Sequence, residues 1–536
     1  MNDPTTALIL AVDLGTSGPK VALVTPRGEV LDCRTGAITL TILPGGGAEQ
    51  DPDQWWASIK TTIAQLLRDH PDAAGRIAAI GCTSQWSGTV AVDEDGRHLM
   101  NAIIWMDTRG APYVRQITNG WPKVAGYGAP RLATWLRLAG GIPAHSGKDP
   151  IAHILYIKHT RPDVYRQTYK FLEPKDYLNL RFTGRFAASH ESITLHWLTD
   201  NRDIHNVRYD DRLLRFSTVP ADKLPELKRA VDVLGPIRPD VARELGLAEG
   251  TPVIMGTPDM HSAAIGAGAV ADFEPHLYIG TSAWLTCHVP TKRVDLFHNM
   301  ASLPSAVPGK YFIANEQETA GACLAFLRDN ILYADDALER RERIPNVYPV
   351  FDRMVAATPA GSDRVLFTPW LHGERTPVDD GLVRGGFHNL SLRTTRAHMI
   401  RAVFEGVAYN TRWLLRYVER FVGRRLDEIR MIGGGANSDV WCQIHADVLD
   451  RAIRQVKDPV QANVRGVGLL AAVAVGLTTF EAIDHDVPIA NTYRPNPANR
   501  ALYDELFAAY ETIYRQNRRI YAGLNRGNHE LEGHAE

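Results

Sequence analysis

The sequence predicts an α/β protein of two lobes facing each other across a ligand cleft. Three observations carry that expectation. At 536 residues the chain outgrows a single hydrophobic core, so roughly two to four domains are expected. Its opening part alternates short apolar runs with an amphipathic segment, the order of an α/β domain. A strand–Gly-Thr-Ser–strand unit near the N-terminus returns about half a chain later, as duplicated lobes would require.

Residues 7–12 form an unbroken apolar run, the pattern of a strand buried on both faces. The run breaks at Asp13-Leu-Gly-Thr-Ser-Gly-Pro19, resumes over 21–24, and turns through Thr25-Pro-Arg-Gly28 into a third strand at 29–33. A helix follows. Asp51 caps it, Pro52 suits its first position, and Gln54 stands where a capping box places its second partner. Trp55, Ile59, Ile63 and Leu66 recur at helical spacing and form its buried face. Residues 77–83 make the next strand, which empties into Ser84-Gln85-Trp86-Ser87-Gly88. In α/β domains such strand ends carry ligand loops.

Farther on, the apolar run 252–255 feeds Gly256-Thr-Pro-Asp259-Met260-His261. The echo then appears: Leu277-Tyr-Ile-Gly-Thr-Ser-Ala-Trp repeats the plan of Val12-Asp-Leu-Gly-Thr-Ser-Gly-Pro. The lobes are expected to divide as 1–268 and 269–524, leaving a polar tail over 525–536 that is expected to be disordered.

Composition narrows the function. Hydrophobic residues at 45%, charged residues at 22% and a net charge of −2 without charged blocks give no footing for a nucleic-acid or membrane-surface partner. Cys33, Cys82, Cys287, Cys323 and Cys442 are scattered, odd in number and free of CxxC spacing, which excludes a disulfide scaffold and a zinc site and suits a reducing cytoplasm. The N-terminus lacks the basic region of a secretory signal, and the apolar runs 7–12 and 467–477 are too short to span a bilayer.

A Gly-Thr-Ser turn between two strands offers N–H groups and hydroxyls to an anion, and glycine admits phosphate oxygens closely. The same turn would serve as a plain hairpin connection. Asp13 tips the balance, because an acid ending a buried strand is costly without a cation, and hydrated Mg²⁺ would satisfy it. Gly433-Gly-Gly-Ala-Asn-Ser438 follows the apolar segment 429–432 and precedes a helix at 440–449. That geometry suits a nucleotide's close approach, and it also suits a tight connection.

Together these stretches resemble the FGGY family of carbohydrate kinases, over nearly the whole chain from Ala7 to about Gly476. The opening loop, Glu49-Gln-Asp-Pro-Asp-Gln-Trp-Trp56, Pro174-Lys-Asp-Tyr-Leu178 with Thr183-Gly184, Gly280-Thr281-Ser282, Phe367-Thr-Pro-Trp-Leu-His-Gly-Glu-Arg-Thr-Pro377, Arg401-Ala-Val-Phe-Glu-Gly-Val-Ala408 and Gly433-Gly-Gly-Ala436 stand in the family's order. The resemblance implies two ribonuclease-H-like, actin-like lobes, a need for ATP and Mg²⁺, and phosphorylation of a small sugar or polyol. It implies Asp259 as catalytic base and Asp13 as organiser of the metal. Thr16, Ser17, Lys20, Gly280 and Thr281 would lie along the phosphates, and Gly434, Gly435 and Asn437 near adenosine. Gln85, Trp86, Asp107, Asp259 and Met260 would line the sugar pocket. A homodimer stays open as its assembly.

The sugar half departs from the nearest pattern, that of kinases for a ketopentose. Gln85-Trp-Ser-Gly88 stands for Gln-Met-His-Gly, Met260 for an asparagine, Met106 for the asparagine before Asp107, and His153 for a lysine. A D-xylulose-type ketopentose is the expected substrate, with a pentitol, tetritol or related polyol as the alternative. Two readings from other classes share the duplicated loops: an actin-like ATPase without a sugar site, and a binding protein with a dead kinase site. The first would not need Gln85-Trp86, Pro174-Lys175-Asp176 or Gly373-Glu374-Arg375, and the intact Asp13, Thr16, Thr281 and Asp259 argue against the second.

Overall fold

A computed structural model of the chain describes residues 6–334, 336 and 346–525. The tail expected over 525–536 lies outside them except for Asn525, which ends the last helix.

Strand β1 (Leu8–Gly15) and strand β2 (Gly18–Val24) pair antiparallel with Gly15 opposite Gly18, so Thr16 and Ser17 form the tip of the turn. Strand β3 (Val30–Thr35) continues the meander. Helix α1 (Pro52–Asp69) begins as expected, Asp51 accepting from the Asp53 N–H at 2.9 Å. Gln54 does not complete a capping box. Its amide instead grips Thr39, accepting from the backbone N–H at 2.7 Å and donating to the hydroxyl at 3.1 Å, which pins the loop after β3 to the helix. Strand β4 (Ile77–Ser84) returns parallel to β1.

Helices α2 (Pro150–Thr160) and α3 (Pro174–Thr183) precede strands β5 (Val233–Pro236) and β6 (Pro252–Ile254), and helix α4 (Asp259–Gly266) closes this half. The sheet order is β5-β6-β4-β1-β2-β3, and Thr257–Pro258 adds a short parallel pairing to β4.

The second half holds strands β7 (Pro275–Ile279), β8 (Ala283–Val289), β9 (Met300–Pro304) and β10 (Tyr311–Ala314), then helix α5 (Arg396–Val422). Strand β11 (Glu428–Ile432), helix α6 (Asp439–Leu449), strand β12 (Ala452–Val456), helix α7 (Ala462–Ala474), strand β13 (Ile489–Tyr493) and helix α8 (Arg500–Asn525) complete it. Its sheet runs β9-β10-β8-β7-β11-β12-β13, with Val294–Asp295 outside β9.

The short Gly-Thr-Ser echo is part of a larger duplication. The path β3-β2-β1-β4-β6-β5 matches β10-β8-β7-β11-β12-β13 strand for strand. In both, the first three are antiparallel, the next two join parallel, and the last turns back antiparallel.

Strand β1 is apolar without alternation because its two faces serve two cores. Leu8, Leu10 and Val12 pack with Trp55 and Ile59 of α1. Ile9 and Ala11 pack with Val464, Val467 and Leu470 of α7, a helix from the far end of the chain. That helix also meets α4 backbone to backbone. A Cβ on Gly466 would fall 1.8 Å from the Ser262 carbonyl oxygen, and one on Gly266 would fall 1.8 Å from that of Ala462. Arg465, 2% exposed, donates to the carbonyls of Gly28, Gly266 and Lys457 at 3.1, 3.3 and 2.8 Å. Three segments distant in sequence are tied by one guanidinium.

Any side chain at 466 must therefore part the two helices. Gly466→Val should lower unfolding free energy by on the order of 1–3 kcal/mol or more, read by denaturant melts. Gly434→Ala, where an added methyl would have nothing within 4 Å, should stay near wild type. Equal stability of both variants would contradict the packing.

Candidate active site

Parallel pairing collects the loops. The ends of β1, β4 and Thr257–Pro258 lie side by side, which brings the Thr16–Ser17 turn, the Gln85–Gly88 loop and Asp259 together. In the other half, the parallel pair β7 and β11 sets Gly280-Thr281-Ser282 beside Gly433–Asn437. Both clusters follow the rule that ligands bind beyond the carboxyl ends of such strands.

Asp13, 2% exposed, faces the opposite charge of Lys20 at 3.6 Å. Its Oδ1 has no hydrogen-bond partner among the described residues. Burial raises its carboxyl pKa, while Lys20 and then the neighbouring Asn463 amide of α7 pull it back. Asp259, the first residue of α4, is pushed up to about 7 by burial first and by the Asp13 charge second, with Glu316 adding to the rise. Its Oδ1 accepts the Met260 N–H at 2.8 Å, a bond that favours the charged form. Asp13, Asp259 and Glu316 thus crowd negative charge into one pocket. A buried carboxylate oxygen with no donor, beside further carboxylates, is the donor set a hydrated divalent cation fits. Another carboxylate–histidine group, Asp51, Asp53 and His98, sits at the start of α1, with both acids exposed.

The first turn is tied down by side chains. Thr16 donates to Gln85 Oε1 at 3.0 Å and accepts from Trp105 Nε1 at 3.1 Å, and its carbonyl accepts from Gln50 Nε2 at 2.7 Å. Gln85 in turn donates to Gln50 Oε1 at 2.8 Å. Ser17 is exposed at the tip. In the second turn the Gly280 N–H donates to the Ser282 carbonyl at 2.9 Å, and the carbonyls of Gly280 and Thr281 accept from Gly321 and Ala320, leaving the Thr281 side chain exposed. Gly433 needs its left-handed φ of +86°, since a Cβ there would fall 2.5 Å from the Ile279 carbonyl oxygen. Gly434 and Asn437 are exposed beside it, while Gly435 is buried against Ile279.

On the sugar side the expected residues divide. Trp86 is half-buried, donates from Nε1 to the Ser192 carbonyl at 3.0 Å and meets His261 edge-on at 5.4 Å. Met260 is half-buried on the core shared by the two halves. Gln85 and Asp107 point into the framework. Both Asp107 oxygens are used, by Arg109 and by the Ala48 N–H at 3.0 Å. Ser87, with φ of +66°, donates to the Lys148 carbonyl at 2.8 Å. His153 is buried on α2 and touches Thr89 at 3.2 Å.

Sequence reasoning missed Lys148, Glu316 and Glu318, and it named Arg375 and Lys175 within motifs without giving either a role. Lys148 lies 4.0 Å from Glu318 of the other half, and Arg375 pairs with both Glu316 and Glu318. The acids lie in a loop after β10, where no periodicity marks them. Lys175, 1% exposed, joins Asp176 and donates to the Met255 carbonyl at 2.9 Å, which fixes the chain leading to Asp259. Beneath the cleft runs an aromatic series. Trp86 touches His261, His261 meets Phe312 at 4.4 Å, Phe312 meets His276, and Trp284 donates to His276 Nε2 at 3.1 Å while stacking on Tyr278 at 3.9 Å. It links the sugar loop to the second Gly-Thr-Ser turn.

A sheet duplicated in this way, with opposed turns around one pocket, is that of the actin-like ATPase fold. The chain belongs to the FGGY family of carbohydrate kinases: the family's N-terminal domain matches residues 8–266 and its C-terminal domain residues 277–475. It is a sugar kinase. It is similar to the xylulose kinase of Staphylococcus epidermidis, 29% identical over 529 residues, covering 96% of this chain and 98% of that protein. Among solved structures it resembles the ligand-bound xylulose kinase and the gluconate kinase of Lactobacillus acidophilus, each with a TM-score of 0.84 at 24% identity. These cover 97% of this chain and 100% and 99% of theirs. ATP is the phosphoryl donor expected of such an enzyme, and its acceptor is a small sugar. Among the described residues no helix is long and apolar enough to cross a membrane.

The histidines in the aromatic series are held neutral. Burial lowers His276 to about 3, and the neighbouring His288 adds to the shift. Because the folded value lies below the ordinary 6.5, its contribution is complete above pH 6.5 and is lost as pH falls toward the folded value. His276→Gln should therefore gain on wild type by about 1.4 kcal/mol per pH unit below 6.5. Urea melts from pH 7 to pH 5 that show a constant difference would contradict a neutral buried His276.

Proposed function

We propose that the protein transfers the γ-phosphoryl group of ATP to a hydroxyl of a neutral ketopentose such as D-xylulose, giving xylulose 5-phosphate, in the cytoplasm. The observation that carries this proposal is Asp259, a carboxylate poised at the start of α4 beside Asp13 and between two Gly-Thr-Ser turns. A base with a carboxyl near 7 is matched to taking the proton of an alcohol at neutral pH. Phosphoryl transfer otherwise asks mainly for positioning and charge neutralisation.

In this reading the sequence-expected division at 268/269 separates a sugar-bearing lobe from an ATP-bearing one. Asp13, with its unpaired oxygen, would hold Mg²⁺, and that ion would supply neutralisation of phosphate charge. Lys20, 3.6 Å from Asp13, would lie along the phosphates. Thr16, Ser17, Gly280 and Thr281 offer N–H groups and hydroxyls along the triphosphate, while Gly434, Gly435 and Asn437 border adenosine. Trp86 presents a flat apolar face to the sugar carbons. Gln85 and Asp107 act at one remove, by holding Thr16 and Arg109.

A neutral acceptor is favoured over an aldonate. The cations beside the sugar loop, Lys148 and Arg375, face Glu318 and Glu316, so little positive charge is left for a carboxylate. A pentitol or tetritol is the second reading. Ser87 and Met260 supply less hydrogen bonding than the histidine and asparagine they replace, and an unmatched buried hydroxyl costs about 1–3 kcal/mol.

The test is ADP release across ketopentoses, pentitols, tetritols and gluconate, with Asp259→Asn alongside. D-xylulose should give the highest kcat/KM, gluconate little, and the variant a kcat lower by about 10²–10⁴. Wild-type kcat/KM should fall as pH drops below about 7 and Asp259 takes up its proton. Gluconate preferred over every neutral sugar would overturn the substrate, and normal turnover by the variant would overturn the base.

A further inference from the structure

The geometry points to Tyr278, on the strand that leads into the second phosphate turn, as a hydrogen-bond donor to the nucleotide's phosphates. Three observations on its placement converge. Tyr278 pairs across the strands with Trp284, and the rings stack at 3.9 Å with 8° between their planes. The stack is itself fixed, because Trp284 is only 7% exposed and its Nε1 is held by His276. The phenol cannot swing away without losing that contact.

From this anchored position the ring lies along the floor of the cleft. A Cβ on Gly433 would come 3.1 Å from Tyr278 Cδ2, and a Cβ on Gly280 only 2.3 Å from its hydroxyl oxygen. The glycines at the adenosine turn and at the phosphate turn thus leave the groove that the tyrosine fills, and its oxygen ends over Gly280. The hydroxyl has no hydrogen-bond partner among the described residues, and it is not sealed from solvent.

What faces that oxygen is negative. Asp259, Asp13 and Glu316 all act on it, and with burial as the larger cause they push the phenol up to about 12. A phenol that keeps its proton and finds no protein acceptor is a donor waiting for an anion. The anion that enters between two Gly-Thr-Ser turns in a kinase is the triphosphate. This assignment rests on the kinase reading for the identity of the ligand, and on the geometry alone for the placement of the donor.

Tyr278→Phe removes the hydroxyl and keeps the ring stacked on Trp284, so the variant should fold and melt as wild type does. The probe is the non-hydrolysable ATP analogue AMP-PNP with Mg²⁺, titrated calorimetrically into both proteins, followed by steady-state kinetics with D-xylulose. Hydrogen bonds to charged groups are worth enough that affinity for AMP-PNP should fall about 10-fold or more, with the KM for ATP rising in parallel. The KM for the sugar should stay within about twofold, since Tyr278 lies on the phosphate side. An unchanged AMP-PNP affinity would overturn the assignment, as would a loss confined to the sugar. Should wild type phosphorylate no sugar at all, the kinase substrate reading falls, while the titration still judges Tyr278.

Discussion

The structure depends on one contact, the backbone-to-backbone crossing of α4 and α7 at Gly266 and Gly466. Helix α4 begins with Asp259, and α7 carries Asn463, whose side chain lowers the pKa of Asp13. Because the helices touch without intervening side chains, both residues are delivered to the end of β1 within one pocket. Arg465 locks the arrangement from below, with backbone carbonyls as its partners. A buried guanidinium without a carboxylate is expensive, and here three hydrogen bonds to separate segments offset the cost.

The same contact explains the electrostatics of the site. Asp13 and Glu316 act on Asp259 in a pocket that burial has already made unfavourable for charge. Two framework acids are compensated by neighbours: Asp107 by Arg109 and Ala48, Asp176 by Lys175 and Ser192. The cleft retains a carboxylate oxygen, Asp13 Oδ1, with nothing to accept from among the described residues. Negative charge gathered in this way favours a cation, and it keeps Asp259 basic enough to accept a proton near neutrality.

Much of this is legible in the sequence where local chemistry leaves a mark. The unbroken apolar run of β1, the Asp51–Pro52 start of α1 and the Gly-Thr-Ser echo each follow from short-range rules, and the strands and helix they predict are present. Asp13 is legible as a charge out of place. What is not legible depends on contacts between distant segments. The apolar stretch at 467–477 reads only as a run too short to span a bilayer, yet most of it belongs to the helix that joins the two halves. Glu316 and Lys148 sit in loops whose sequence carries no period, and only folding brings them beside Arg375 and Ser87. Gln85 and Asp107 are visible as polar residues at strand ends, but the direction of a side chain depends on partners such as Gln50 and Arg109.

Two turns on opposite lobes can serve one triphosphate only if the lobes draw together around it, and closure of that kind also excludes water from the transfer. Small-angle X-ray scattering in the presence of AMP-PNP, Mg²⁺ and D-xylulose tests that claim most directly. The account predicts a smaller radius of gyration with all ligands present than in their absence. Scattering curves that superimpose, under conditions where calorimetry shows both ligands bound, would contradict it.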